Sequence, residues 1–272
     1  MTRPPGEPRT GKIPGMYIVA VHGYLLDRRL WLPLAAELGR LAPAVPFLAL
    51  DLRGRGTSTR PAAASHPMSL LADDLAGEID SSLPADEPFV LAGLSMGGYV
   101  AFEFLRRHGS RFRSRLAGLA LCDTRANPDD AAGKAGRAAA AEAIREHGMD
   151  APLATMLPRL IARASFRTAA EATARAMILS TPPDTARADL FGMIEREDGF
   201  GPLAAFDRPV LVVVGDEDQL TPPGDAEALV EGARNAPFVK LHTVPGAGHL
   251  SPLEAPGDVA AAFADLVVRA GA

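Results

Sequence analysis

The sequence predicts an α/β protein: one mostly parallel sheet with helices on both faces, interrupted once by a block of helices. Three observations carry this. Short apolar runs alternate with stretches whose apolar residues recur at helical spacing, as expected of strands buried on both sides and helices packed over them. The alternation lapses from about residue 125 to 205 and then resumes. At the centre, residues 88–102 run from a strand-length apolar stretch through Gly93-x-Ser95-x-Gly97 into a helix.

The elements follow in order. Residues 17–21 (Tyr-Ile-Val-Ala-Val) are apolar throughout and read as the first strand, ending in His22-Gly23-Tyr24. Leu30, Leu34 and Leu38 then recur at helical spacing, with Asp27 placed to cap that helix. A second strand over 45–50 ends in Asp51-Leu52-Arg53-Gly54-Arg55-Gly56, a charged, glycine-bearing turn. Residues 69–83 read as a helix with Leu70, Leu71, Leu75 and Ile79 as its buried stripe. After the central strand and its helix, 116–121 is the next strand. Residues 131–147, 152–164, 168–180 and 184–197 look helical, alanine-rich and separated by Gly or Pro. Strands return at 210–214 and 238–243, with helices at 224–231 and 258–269. The domain reading is a core of residues 1–124 and 206–272 with a helical cap over 125–205, placed above the carboxyl ends of the strands.

The 272 residues suffice for one large α/β domain with an insertion. Apolar content of 47% and charged content of 22% are those of a globular chain and argue against disorder. A net charge of −5 with no Lys/Arg run leaves no footprint for nucleic acid. The single cysteine, Cys122, excludes an internal disulfide; following an apolar run, it reads as a buried strand-end residue. Residues 1–15, rich in Pro, Arg and Gly, read as a loose tail without a signal-peptide core. No apolar run is long enough to span a membrane, so a cytoplasmic protein is expected.

In an open parallel sheet, ligands bind at the carboxyl ends of the strands. There the chain places His22-Gly23-Tyr24, Ser95, the segment Gly215-Asp216-Glu217-Asp218, and Gly246-Ala247-Gly248-His249. Ser95 sits between a buried strand and a helix, a turn whose flanking glycines leave room where a Cβ would clash. Three fixed positions are weak evidence in a chain with 26 glycines; the strand before and the helix after are what the motif requires. A serine hydroxyl is a poor nucleophile without a base, His249 can take its proton near neutral pH, and Asp218 can hold the second ring nitrogen. The order Ser, Asp, His is that of a nucleophile-elbow triad. Asp123, also at a strand end, competes with Asp218; the later loop is preferred because such triads draw their acid from it. The backbone N–H groups of Met96 and Tyr24 are the expected oxyanion donors. His22 reads as a turn-stabilising side chain bonded to backbone, and His66, His108, His147 and His242 as structural. No metal-ligand cluster, phosphate loop or dinucleotide fingerprint is present, so no cofactor and no metal is expected.

Taken together, His22-Gly23-Tyr24, Asp51-x-Arg53-Gly54-x-Gly56, Gly93-Leu94-Ser95-Met96-Gly97-Gly98, Gly215-x-x-Asp218 and Gly248-His249-x-x-x-x-Glu254 resemble the α/β-hydrolase superfamily over nearly the whole chain. Within it the chain is similar to the small cap-domain serine esterases and lactonases, including the 3-oxoadipate enol-lactonase and cofactor-free haloperoxidase-like groups. The resemblance implies an α/β-hydrolase fold, Ser95, Asp218 and His249 as triad, and Tyr24 and Met96 as oxyanion donors. It also implies a strand hairpin before the first strand. Only about sixteen residues, several of them proline, precede it here, so that edge is expected to be shortened or missing.

The expected activity is that of a serine hydrolase acting on a small to medium hydrophobic carboxylic ester or lactone through an acyl-enzyme. Carbon–carbon bond hydrolysis, acyl or peracid transfer, and slow-turnover ligand binding on the same scaffold are the alternatives. Most apolar residues of the insertion must pack it together. Met156, Leu160, Met177, Phe191 and Ile194 are the candidates for an apolar pocket wall. Arg125, Arg159, Arg163 and Arg175 could hold a substrate carboxylate, though each alone reads as part of a solvated helix face.

Overall fold

Six parallel strands carry the molecule, and their burial explains their composition. The structure, a computed structural model, describes residues 15–272. The expected tail, apart from its last residue, lies outside them. The strands are β1 (Tyr17–Val21), β2 (Phe47–Leu50), β3 (Phe89–Leu94), β4 (Leu116–Cys122), β5 (Val210–Gly215) and β6 (Val239–Val244). They form one sheet in the order β2-β1-β3-β4-β5-β6, parallel at every pairing. β3 and β5 are buried at all six positions, which is why both read as unbroken apolar runs. The edge strands β2 and β6 are only partly buried, and β6 can carry Lys240, which pairs with Asp265. Among the described residues nothing pairs beyond β2; the expectation about a hairpin before β1 falls on residues outside them.

Helices cover both faces. A 3-10 turn (Arg28–Trp31), capped by the Asp27 carboxylate accepting Arg29 N–H at 2.9 Å, leads into α1 (Leu32–Leu41). α2 (Met68–Ser82) and α3 (Met96–His108) follow β2 and β3. Five helices separate β4 from β5: α4 (Ala131–His147), α5 (Asp150–Leu160), α6 (Ala169–Ser180), α7 (Pro183–Ile194) and α8 (Phe200–Ala205). α8 escaped the sequence reading because six residues containing Gly201 and Pro202 are too short and too broken to show a period. α9 (Pro223–Gly232) links β5 to β6, and α10 (Ser251–Glu254) and α11 (Pro256–Ala270) close the chain. α1 packs on α11 on one side of the sheet; α2, α3, α8 and α9 form the other layer. No helix among the described residues is long and apolar enough to cross a membrane.

The register sets the site. Val21 pairs with Gly93, Leu94 with Cys122, Cys122 with Val213, and Gly215 with Val244. The carboxyl ends of five strands are therefore level, and the residues after each fall along one edge.

The helical insertion is fastened to this body by buried polar groups. Asp189 on α7 pairs with Arg55, from the turn after β2, and accepts from His66 Nδ1 at 2.7 Å. His66 Nε2 accepts the Ala63 N–H at 3.1 Å, which assigns the ring proton to Nδ1. All three side chains are buried, so each charge depends on its partners. Thr185 Oγ1 donates to Gly54 O at 3.0 Å beside them. At the other end, Glu254 accepts Ala162 N–H at 2.8 Å and Ser165 O–H at 2.6 Å.

Candidate active site

Ser95 occupies the turn between β3 and α3 with φ +53° and ψ −115°, a conformation an L-residue rarely adopts. Strain of this kind persists only where the surroundings over-determine it. Here the Ser95 N–H donates to Cys122 O at 3.0 Å, and its carbonyl accepts Thr124 O–H at 2.8 Å and Gly98 N–H at 2.9 Å. The flanking glycines are required by close approach. A Cβ on Gly93 would lie 2.4 Å from Gly97 O, and one on Gly97 would lie 2.3 Å from Val21 O. The central turn is thus pressed against the end of β1.

That contact brings the first loop to the serine. A Cβ on Gly23 would sit 3.1 Å from Ser95 Cβ, so Tyr24 follows directly beside the hydroxyl-bearing residue. Among the described residues the Tyr24 N–H donates to no backbone carbonyl. Met96 is the first residue of α3, where amides have no intrahelical acceptor. His22 holds the loop. Its Nε2 accepts Leu52 N–H at 3.1 Å and its Nδ1–H donates to Gly23 O at 2.9 Å. Burial, reinforced by the charge of Arg55, lowers its pKa to about 4, so it is neutral at pH 7 and wired to backbone.

His249 and Asp218 meet across the loops after β5 and β6. The ring Nδ1 lies 2.8 Å from Asp218 Oδ2. Asp218 also accepts Thr221 O–H at 2.7 Å, Leu220 N–H at 2.8 Å and Thr221 N–H at 3.1 Å. Burial alone would raise the carboxyl pKa; the charge and hydrogen bond of His249, with those from Thr221, outweigh it and keep Asp218 ionised. Thr221 was not singled out by sequence, although its place three residues after a turn aspartate is where such a bond forms. Glu254 Oε1 accepts Gly248 N–H at 2.9 Å and Leu250 N–H at 3.2 Å, holding the backbone on both sides of His249.

Asp123 takes a different place. It is fully buried, accepts Gly215 N–H at 3.0 Å, and meets Ser251 through its hydroxyl at 2.6 Å and its N–H at 3.2 Å. It has no hydrogen bond to His249 among the described residues. Burial, followed by the nearby charge of Asp218, pushes its pKa well above the carboxylate range. Cys122 is likewise buried, with its thiol pKa raised by that burial.

Ser95 and His249 open into one cavity of about 270 Å³. Of the pocket candidates, Met156 and Leu160 line it, whereas Met177, Phe191 and Ile194 do not. Met177 is fully buried inside the insertion, and Met193 reaches the cavity instead. Of the four arginines considered, Arg125 and Arg159 line the cavity and Arg163 and Arg175 do not. Arg137, from the alanine-rich face of α4, lines it as well and was missed. A larger open groove of about 540 Å³ against Arg113 and Asp207 holds none of the candidate site residues. His108 Nε2 hydrogen-bonds Asp73 at 2.7 Å, and His242 Nε2 lies 3.2 Å from Asp258, both away from the cavity. Among the described residues no group of three His, Cys, Asp or Glu side chains is placed to hold a metal ion.

A family model described as the alpha/beta hydrolase family matches residues 18–262, and the chain belongs to that family. A curated relative, the pimeloyl-(acyl-carrier protein) methyl ester esterase of Neisseria meningitidis, is 30% identical over 268 residues, covering 92% of this chain and 93% of its own. Among solved structures, a thermophilic esterase from Thermogutta terrifontis in a malate-bound form is 38% identical with a TM-score of 0.85, covering 95% of this chain and 91% of its own. The enol-lactonase from Burkholderia xenovorans superposes with a TM-score of 0.80 at 22% identity, over 96% of this chain and 94% of its own, a likeness of fold alone.

Proposed function

We propose that this hydrolase cleaves a small carboxylic ester or lactone through an acyl-enzyme on Ser95. The observation that carries the reading is the convergence on one cavity of a strained serine and a histidine whose far nitrogen is held by an ionised carboxylate. The names of the Neisseria and Thermogutta relatives, both esterases, support ester hydrolysis.

Each group then has a task. His249 Nε2 takes the Ser95 proton as Oγ attacks the carbonyl carbon. The oxyanion that forms is held by the Tyr24 and Met96 N–H groups, with the α3 N-terminus behind them. Collapse breaks the ester C–O bond; the alkoxide leaves with the proton that His249 carried. Water, deprotonated by His249, attacks the acyl-enzyme and releases the carboxylic acid and free Ser95. Asp218 fixes the Nδ1–H tautomer and stabilises the imidazolium. The helices over residues 125–205 act as the cap, with Met156 and Leu160 as an apolar wall for the substrate chain.

Hydrolysis of p-nitrophenyl acetate, butyrate and octanoate tests this. The wild type turns over the short esters faster than octanoate, because the cavity is small. Ser95→Ala loses about a thousandfold or more in kcat/KM. An inert wild type, or an equally active Ser95→Ala, would overturn the reading.

A further inference from the structure

We propose that the substrate carries a free carboxylate in addition to its scissile ester, and that Arg125 and Arg159 bind it. This deepens the reading of Ser95 as nucleophile and rests on it. The cavity above Ser95 is lined by Arg125, Arg137 and Arg159, and no acidic residue shares the lining. Three guanidinium groups in a space of about 270 Å³ are an unusual wall for a neutral ester, since each repels the others unless an anion intervenes.

The counter-charges behind the wall do not settle this balance. Asp129 is buried and takes three arginines: Arg137, Arg125 at 3.1 Å and Arg196 at 2.9 Å. Arg196 is further occupied by Asn127 O at 2.6 Å and by the face of Tyr99, 4.2 Å from the ring centre. Asp225, the other carboxylate near Arg125, has its pKa raised, chiefly by burial. Arg159 is exposed and has no carboxylate partner among the described residues. The wall therefore keeps a surplus of positive charge.

Two donors in this wall also lack partners. Arg125 Nε and the Tyr24 hydroxyl are buried and make no hydrogen bond among the described residues. Buried polar atoms are nearly always satisfied, and unsatisfied ones at a cavity point to a ligand that completes them. A carboxylate suits this set, because its two oxygens can take guanidinium N–H donors in parallel. With Ser95, His249, Met156 and Leu160 in the same lining, the ligand is a half-ester of a short dicarboxylic acid.

The test compares methyl valerate with monomethyl glutarate, which differ only by a terminal methyl in place of a carboxylate. Methanol release gives kcat/KM for each. The wild type prefers monomethyl glutarate by about tenfold or more, the scale of a charge-assisted bond. Arg159→Ala and Arg125→Gln each collapse that ratio, mainly through KM for the charged ester. Arg159 has no ion-pair or hydrogen-bond partner for its side chain among the described residues, so its variant keeps the fold, and thermal unfolding verifies this for both. Glutarate competes with p-nitrophenyl butyrate, and inorganic phosphate at equal concentration competes less. Equal or better hydrolysis of methyl valerate, or a ratio unchanged in both variants, overturns the carboxylate subsite while p-nitrophenyl butyrate turnover leaves the Ser95 reading standing. Inhibition by phosphate equal to that by glutarate also overturns it. Loss of turnover on every ester by the wild type is instead the failure of the Ser95 reading.

Discussion

The ends of β4 and β5 are neighbours in the sheet, and each presents an aspartate at the same edge. Asp218, after β5, is reached by a histidine and a hydroxyl and stays ionised. Asp123, after β4, is reached by two amides and the Ser251 hydroxyl, and burial pushes it toward its neutral form. The residue type is shared, and the environment divides the labour. One carboxylate holds a histidine ring, while the other knits the backbone of β5 to α10. The lesson is that position at a strand end gives opportunity, and hydrogen-bond partners give the role.

The largest effect that separates them is on catalysis. Asp218→Asn lowers kcat on the order of 10³- to 10⁴-fold, because an amide no longer fixes the histidine tautomer, while denaturant unfolding moves little. Asp123→Ala does the reverse. It leaves the Gly215 and Ser251 amides unpaired in a buried site and costs about 2–4 kcal/mol of stability, read by urea unfolding. The folded fraction retains a rate of the wild-type order. A loss of activity in well-folded Asp123→Ala as deep as in Asp218→Asn would break the contrast.

A smaller effect asks whether the end of β1 belongs with β4. His22 is also used for backbone wiring, with its pKa lowered from 6.5 to about 4. The folded state favours the neutral ring, so this stabilisation is full above pH 6.5 and is lost as pH falls from 6.5 through 4. Between pH 8 and pH 5.5 the loss is about 1 kcal/mol. His22→Gln shows a flatter dependence over that window in urea unfolding at stepped pH; an unchanged slope would remove His22 from this class.

Much of this was legible in the sequence, and the limits have physical causes. The strands could be read because burial on both faces leaves only apolar residues, as in β3 and β5. The elbow could be read because backbone contact at Gly93 and Gly97 excludes any side chain. Asp123 stayed a rival because nothing local records that Ser251, 128 residues later, would occupy it. The pocket wall was only half legible. Helical periodicity reports which residues of the insertion are apolar, not which of its faces turns inward. Met156 and Met177 therefore looked alike, although only the first reaches the cavity. Arg137 was hidden for the opposite reason: an arginine among alanines on α4 reads as solvated until the sheet edge is placed beneath it.

The Glu254 carboxylate holds Gly248 and Leu250 with one oxygen and Ala162 and Ser165 with the other. The loop of His249 and the α5–α6 junction are thereby riveted to a single side chain, and the Arg55–Asp189 pair is a second rivet at α7. A plate pinned at two points does not swing like a door. Met156 and Arg159 line the cavity beside Ser95 and take part in neither pin.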